Sequence, residues 1–300
     1  MSKISIIGLG EIAVDLLGEQ KFAGGASSNF AQFIADLGYS SGLISAVGKD
    51  EHGTFLVNQL KQRKVSTEFV QIKKIQTGTV TVVLNGIEPE FTVSEKAAWD
   101  SIEWNKDLEK LAQKIELVCF GSIAQRNKIS RNTIQNFLKK CTGKKLFDVN
   151  IRAKWNAHLV SEVIHPCLKF ANILKINEQE SFYFKKWLKQ KDSVKLAKKL
   201  FTKYKNLELI AFTQGENGCE LFTKKQKTQV SGFSVKAVDT TGCGDSFSAG
   251  LAIAFLEKKN LEEIGEFANA CGALAATKMG ATPELSRKQV EKFIEQKRII

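Results

Sequence analysis

Short apolar runs of about five residues alternate along the chain with longer segments in which apolar positions recur every three or four residues. The runs cover residues 4–9, 43–47, 117–120, 145–149, 173–176 and 207–212, and the helical pattern covers 26–37, 51–64, 246–257 and 261–278. Continuous apolar runs suit strands buried on both faces, so the alternation predicts a parallel sheet covered by helices on each side. Ligands of such sheets sit beyond the carboxyl ends of the strands. Two stretches, 11–22 and about 65–93, break the rhythm. In the second, Thr77-Gly78-Thr79-Val80-Thr81-Val82-Val83-Leu84 followed by Asn85-Gly86 reads as a hairpin arm.

Composition narrows this picture. A chain of 300 residues at 43% hydrophobic buries a full core, and its length fits one large α/β domain or two smaller ones. No repeat, low-complexity tract or proline-rich linker divides it, so 1–300 is read as a single domain. No apolar run approaches the ~20 residues of a membrane span, and a strand-like Ile4-Ser5-Ile6-Ile7 follows almost at once, so a soluble, cytoplasmic protein without a membrane partner is expected. Six cysteines (Cys119, Cys141, Cys167, Cys219, Cys243, Cys271) lack C-x-x-C or metal-ligand spacing and are read as reduced, mostly buried thiols. A formal charge of +12, with nine lysines from Lys185 to Lys205, invites a nucleic-acid reading. The same segment carries Phe182, Phe184, Trp187, Leu188, Val194, Leu196, Leu200 and Phe201, which fits amphipathic helices with lysines facing water. No nucleic-acid module is present, and a general attraction for anionic ligands is the reading kept.

Chemistry concentrates in Asp239-Thr240-Thr241-Gly242-Cys243-Gly244-Asp245-Ser246-Phe247, where a glycine loop meets a carboxylate at a helix start. Glycines let backbone N–H groups converge on an anion, the helix adds its positive end, and Asp245 is placed to take a hydroxyl proton. A plain glycine turn with an acid in the first helical turn competes as an explanation for a bare G-x-G-D. At this loop Cys243 is either an acidified, oxidation-sensitive thiol or a small residue chosen to fit, the second being preferred. Near the N-terminus, Gly24-Gly25-Ala26-Ser27-Ser28-Asn29 enters a helix; Asn29 offers a donor and an acceptor to ligand hydroxyls, or the segment is only a capped helix start.

The run 239–247 resembles the D-T-T-G-x-G-D-x-F signature of the ribokinase-like (PfkB-type) carbohydrate kinases, and the resemblance extends from Gly8 to about Pro283. It implies a three-layer α/β/α, Rossmann-like fold with a small β-lid over the sugar, formed by excursions at about 11–22 and 65–95. It also implies ATP and Mg2+ as cofactors, with Asp245 as catalytic base and the amides of Gly242, Cys243 and Gly244 as an anion hole. Gly25 and Asn29 would contact the sugar and Asp15 would grip two of its hydroxyls, although an exposed strand aspartate explains Asp15 equally simply.

Asp148-Val149-Asn150-Ile151-Arg152 resembles the D-x-N-x-R of fructokinases and 2-keto-3-deoxygluconate kinases, making Arg152 a candidate cation for substrate and phosphate. Phe120-Gly121-Ser122-Ile123-Ala124-Gln125-Arg126 is similar to the matching fructokinase strand end. Asn177-Glu178-Gln179-Glu180 matches N-x-x-E, in which Asn177 and Glu180 order magnesium's waters; an asparagine-capped helix with first-turn acids explains the same residues. Thr213, Gly215 and Gly218 match the T-x-G-x-x-G nucleotide loop, and Asn269 lies in a small-residue helix against which adenine, or a neighbouring helix, packs. Asp239, Thr241 and Gly280 match positions near a potassium site, where Glu284 departs from the ribokinase pattern.

These residues lead to the expectation of an ATP-dependent sugar kinase. Residues 91–100 contain no arginine, unlike the pattern that holds a keto-acid's carboxylate, so a neutral sugar is expected, fructose first. A 2-keto-3-deoxygluconate kinase, a ribokinase or a nucleoside kinase are the alternatives, and a sugar-binding regulator is the non-enzymatic one. Lids of the resembled family often pair, which makes a homodimer the implied assembly.

Overall fold

The computed structural model describes residues 5–85, 88–151 and 156–298. Among these, nine strands form the main sheet, in the spatial order β5 (Val70–Lys73), β4 (Ser41–Gly48), β1 (Ile6–Leu9), β8 (Leu117–Phe120), β9 (Lys144–Asp148), β10 (Ile173–Asn177), β11 (Leu209–Thr213), β12 (Cys219–Phe222) and β13 (Lys227–Val230). Neighbours from β5 to β11 are parallel, and β12 and β13 close that edge antiparallel. β1, β4 and β8 are buried at every position, the physical reason their sequences are apolar without alternation.

Two apolar cores lie on opposite faces of this sheet. One joins Phe30, Phe33 and Ile34 to the helices Cys243–Leu256 and Leu261–Ala276. The other gathers Phe137, Leu168, Phe184, Leu196 and Leu200 from the helices Lys128–Lys140, His165–Phe170, Glu178–Leu188 and Ser193–Lys203. The result is a three-layer α/β/α fold. The lysines between 185 and 205 are half-buried or exposed while Phe184, Leu188, Leu196, Leu200 and Phe201 are buried, the amphipathic division expected; Phe182, 63% exposed, stands outside it. No helix among the described residues is long and apolar enough to cross a membrane.

A second, four-stranded sheet runs β3 (Gln20–Gly24), β2 (Ala13–Leu17), β6 (Thr79–Asn85) and β7 (Glu88–Val93). Its hairpins β2–β3 and β6–β7 join through a parallel β2–β6 pairing. The stretch 65–95 is therefore divided: Val70–Lys73 extends the main sheet beside β4, and only the part beyond it belongs to the small sheet. Val70-Gln71-Ile72-Lys73 sits at an exposed edge with its positions only partly buried, so it lacks the continuous apolar signature of the inner strands. Asp50 fastens the root of this excursion, accepting the Gly53 amide at the start of the helix Glu51–Gln62 and the Thr77 amide, each at 2.8 Å.

From β1 the chain goes to β4 and β5 on one side and later to β8 on the other. This reversal opens a crevice at the carboxyl ends of β1 and β8. The small sheet stands over that end, because β1 leads directly into β2.

Candidate active site

The helix Cys243–Leu256 starts three residues earlier than the apolar periodicity suggested, because Gly242 turns the chain into it with φ +75°. A side chain on Gly242 would run into the Ala281 carbonyl, so the position needs both the left-handed backbone and the missing Cβ of glycine. The Cys243 amide donates to Thr240 O at 3.3 Å and the Ser246 amide to Gly242 O at 2.9 Å. Gly244 is exposed and faces the cleft. Asp239 braces the loop from behind: its carboxylate accepts the amides of Thr241 and Gly280, both at 2.9 Å. Burial opposes ionisation of Asp239, yet these hydrogen bonds outweigh it and hold the carboxyl below its usual range.

Asp245, in the first turn of that helix, accepts a hydrogen bond from Asn29 Nδ2 at 2.8 Å. Asn29 lies in the first turn of the helix Ala26–Asp36, which begins after Gly25 at φ +94°. Two helix starts 216 positions apart thus meet at one carboxylate. The Asn29 Oδ1 is buried and has no donor among the described residues, and a ligand hydroxyl placed there would satisfy it. Gly24 makes room for the third member: any side chain there would collide with the Asp15 carboxylate across the β2–β3 pair.

A cleft of about 720 Å³ collects Asp15, Gly25, Asn29, Asn150, Asn177, Thr213, Gly215, Asp239, Thr241, Gly242, Gly244 and Asp245. Val80, Val93 and Trp99 line its lid side. Arg126 stacks over the Trp99 ring, 4.0 Å from the centroid, and pairs with both Asp100 oxygens at 2.8 and 2.7 Å. A second cavity of about 430 Å³ opens from the far side of Gly244, lined by Gly218, Phe233, Val235, Cys243, Asn269 and Ala273 among others. Thr213, Gly215, Thr240 and Gly244 border both spaces. A largely apolar slot continuous with an anion loop suits a flat base attached to phosphates. Asn269 uses its amide group to hold Val230 O and Ser231 O at 3.2 and 3.0 Å.

Asn177 and Glu180 form a reciprocal capping box at the start of the helix Glu178–Leu188, with both bonds at 2.9 Å. The other Glu180 oxygen accepts the Ile151 amide at 2.8 Å. Burial pushes the Glu180 carboxyl up, against the pull of Lys175. Asn177 and Glu178 remain at the cleft wall. Among the described residues no group of three or more His, Cys, Asp or Glu side chains forms a metal cage. This sparse oxygen set fits a magnesium ion that keeps its waters and arrives with phosphates.

Of the two readings of Cys243, the structure agrees with the preferred one, a small residue chosen to fit, and not with an acidified thiol. Burial first, then the charges of Asp239 and Asp245, push it up to about 12, so it is the small, inert residue that fits the loop. The other five cysteines are buried and free. Arg152 falls in 152–155, outside the described residues.

The pairing of Lys175 with Asp148, which Ser248 also holds, was not anticipated. The Lys175 Nζ lies 3.0 and 3.1 Å from the two Asp148 oxygens, and Ser248 Oγ donates to Asp148 at 2.7 Å. The signal was a lone lysine inside the apolar run Ile173-Leu174-Lys175-Ile176, but its partner appears only once β9 and β10 are set in register, Lys175 beside Asp148. Phe233, Val235 and Ala237 of the second cavity were also missed, since they belong to an irregular segment without periodicity.

Comparison with known proteins agrees with this geometry. The sequence model of the pfkB family carbohydrate kinases matches residues 13–288. Fructokinase-2 of Zea mays is 30% identical over 93% of this chain and 90% of its own. An uncharacterized sugar kinase from Pyrococcus horikoshii, solved in complex with ATP, is 30% identical with a TM-score of 0.82, covering 98% of this chain and 100% of that one. A fructokinase from Vibrio cholerae O395, solved with fructose, ADP and calcium, is 26% identical with a TM-score of 0.83, covering 98% and 100%.

Proposed function

The chain belongs to the pfkB family of carbohydrate kinases, ATP-dependent phosphotransferases acting on sugars, and we propose that in it Asp245 takes the proton of a neutral sugar's hydroxyl, fructose being the first candidate. The observation that carries this reading is the 2.8 Å bond from Asn29 to Asp245, which puts a sugar-facing amide and a candidate base on the same few ångströms of cleft wall.

The hydroxyl oxygen attacks the γ-phosphorus of ATP as its proton passes to Asp245; the bond to the bridging oxygen breaks and its electron pair leaves with ADP. The Gly244 amide and the start of the helix Cys243–Leu256 offer positive potential where the phosphoryl charge spreads. Asp15 and Asn29 orient the sugar through its hydroxyls, with Gly25 letting the backbone approach. Thr213, Gly215 and Gly218 border the nucleotide, and Asn269 holds the wall beside its base. Asn177 at the cleft wall, with the buried Glu180 fixing it from behind, would order the waters of a magnesium ion, which would supply charge neutralisation on the phosphates, and Arg152 would be a further cation for them. A potassium ion near Asp239, Thr241 and Gly280 would steady the loop that Asp239 already braces.

The neutral sugar is favoured by the state of Arg126. It is the arginine that reaches residues 94–100, and its fork is engaged by Asp100 and by Ser94 O at 2.8 Å, so it is not available to a substrate carboxylate. The relatives named as fructokinases direct the first choice within neutral sugars. A coupled ADP-release assay over fructose, 2-keto-3-deoxygluconate, ribose and a nucleoside tests the reading. Fructose is expected to give the highest kcat/KM, and turnover of the keto-acid alone would overturn the neutral-sugar assignment.

A further inference from the structure

Among the described residues that line the cleft, Lys175 is the only basic one. Its side chain is 8% exposed, and a buried ammonium is costly unless its charge is answered. Asp148 answers it, taking two of the three N–H groups an ammonium carries. Among the described residues the third has no acceptor. Gly244 lies beside it: a Cβ built there would stand 3.2 Å from Nζ, so the ammonium lies against the backbone of the loop. Burial pulls the Lys175 pKa down, but Asp148 and Glu180, with Asp245 further off, more than compensate, and the group stays charged. A role confined to joining β9 and β10 would explain the pair with Asp148. It would not call for a lysine at the cleft wall beneath the one glycine of the loop that faces solvent.

We propose that Lys175 is a catalytic residue whose third N–H contacts the transferring phosphoryl group. The inference rests on the kinase reading above and adds to it a cation that approaches the phosphate from the sheet side. Lys175 stays protonated throughout: the hydroxyl proton goes to Asp245, the electron pair of the broken bond leaves with ADP, and the ammonium balances the charge of the oxygens in between. Ser248 and Asp148 hold it in place, one helical turn beyond Asp245 and at the end of β9.

The test compares wild type, K175M and the double variant K175M/D148N. K175M leaves the Asp148 charge buried without its partner and is expected to unfold at lower temperature; the double variant removes that charge and recovers most of the lost Tm. If Lys175 touches the phosphoryl group, kcat falls by about 100-fold or more in both variants, with sugar KM within about threefold of wild type. ATP binding weakens more than ADP binding, because only ATP presents the γ-phosphate. A double variant that recovers both Tm and kcat makes Lys175 a structural partner of Asp148 and overturns the inference. Should the wild type release no ADP with any sugar, the kinase reading fails. Titration of ATP and ADP then still decides Lys175: an ATP preference lost in the double variant supports the contact, and a preference retained there overturns it.

Discussion

At the proposed phosphate end of the cleft, residues 239–245 are consecutive in the chain, shaped by the local bonds of Asp239 to Thr241 and Cys243 to Thr240 and tied to the rest of the fold through Asp239 to Gly280 and Asp245 to Asn29. At the sugar end, Asp15, Trp99 and Asn150 arrive from three distant stretches, and the lid they belong to or face rests on a few long-range contacts at Asp50, Thr77 and Arg126. A phosphoryl group is the same in every turnover, so its site gains from being rigid before the substrate arrives. A sugar has to enter, be gripped and be shielded from water, which needs surfaces that move relative to one another. The two ends should therefore fail in different ways when they are altered.

The largest failure is expected at the phosphate end. Asp245→Asn keeps the size of the side chain and removes its basicity, and kcat should fall by at least about 100-fold while ATP still binds. Single-turnover ADP formation together with a nucleotide titration measures both. A variant keeping a tenth of the wild-type rate would contradict the general-base role.

Asp15→Asn probes the sugar end with an equally small change. A carboxylate that accepts two hydroxyls loses charge-assisted hydrogen bonds worth about 1.5–3 kcal/mol, so sugar KM should rise by roughly 10- to 100-fold. KM for ATP should stay near its wild-type value. A comparable rise for both substrates would erase the distinction between the two ends.

Arg126→Met tests whether the lid side depends on its remote brace. The guanidinium is partly exposed, yet it neutralises a buried Asp100 and stacks on Trp99, which lines the cleft. Losing it should destabilise the protein by about 1–3 kcal/mol, a fall in Tm of several degrees. Sugar KM should rise by a few-fold with kcat little changed, and the intrinsic fluorescence response to added sugar should weaken. An unchanged KM would mean that Trp99 holds its place without the stack.

The same contrast explains what could be read from sequence. The turn from Asp239 to Phe247 is legible because a glycine bend into a helix start is local chemistry, written in adjacent residues. The strands of the sheet centre are legible because burial on both faces forces apolar runs. Lys175 was hidden because its meaning lies in a partner 27 positions away, Asp148, which only the parallel register brings alongside. Val70–Lys73 was assigned to the lid because an edge strand, half wet, carries neither alternation nor a continuous apolar run. The Asn177 and Glu180 motif shows the reverse case: its spacing was clear, and the structure shows a capping box there in addition to any role toward magnesium.

The smallest effect concerns how the phosphate loop is held. The Asp239 carboxyl has its pKa lowered in the folded protein, so the sign runs as for any stabilised carboxylate. Its contribution to stability is complete above the ordinary carboxylate value, about pH 4, and is lost as pH falls through the lower folded value. Asp239→Asn removes the titrating group and leaves one acceptor for two amides, so the variant should melt below the wild type at neutral pH. The gap between the two should then narrow as pH drops below about 4 and close only below the lower folded value, where the wild-type carboxyl is protonated too. Melting curves of both proteins from pH 7 to pH 3 would show it. A gap that stays constant across that range would mean that the bonds to Thr241 and Gly280 do not depend on charge, and that the backbone turn at Gly242 alone keeps the loop in shape.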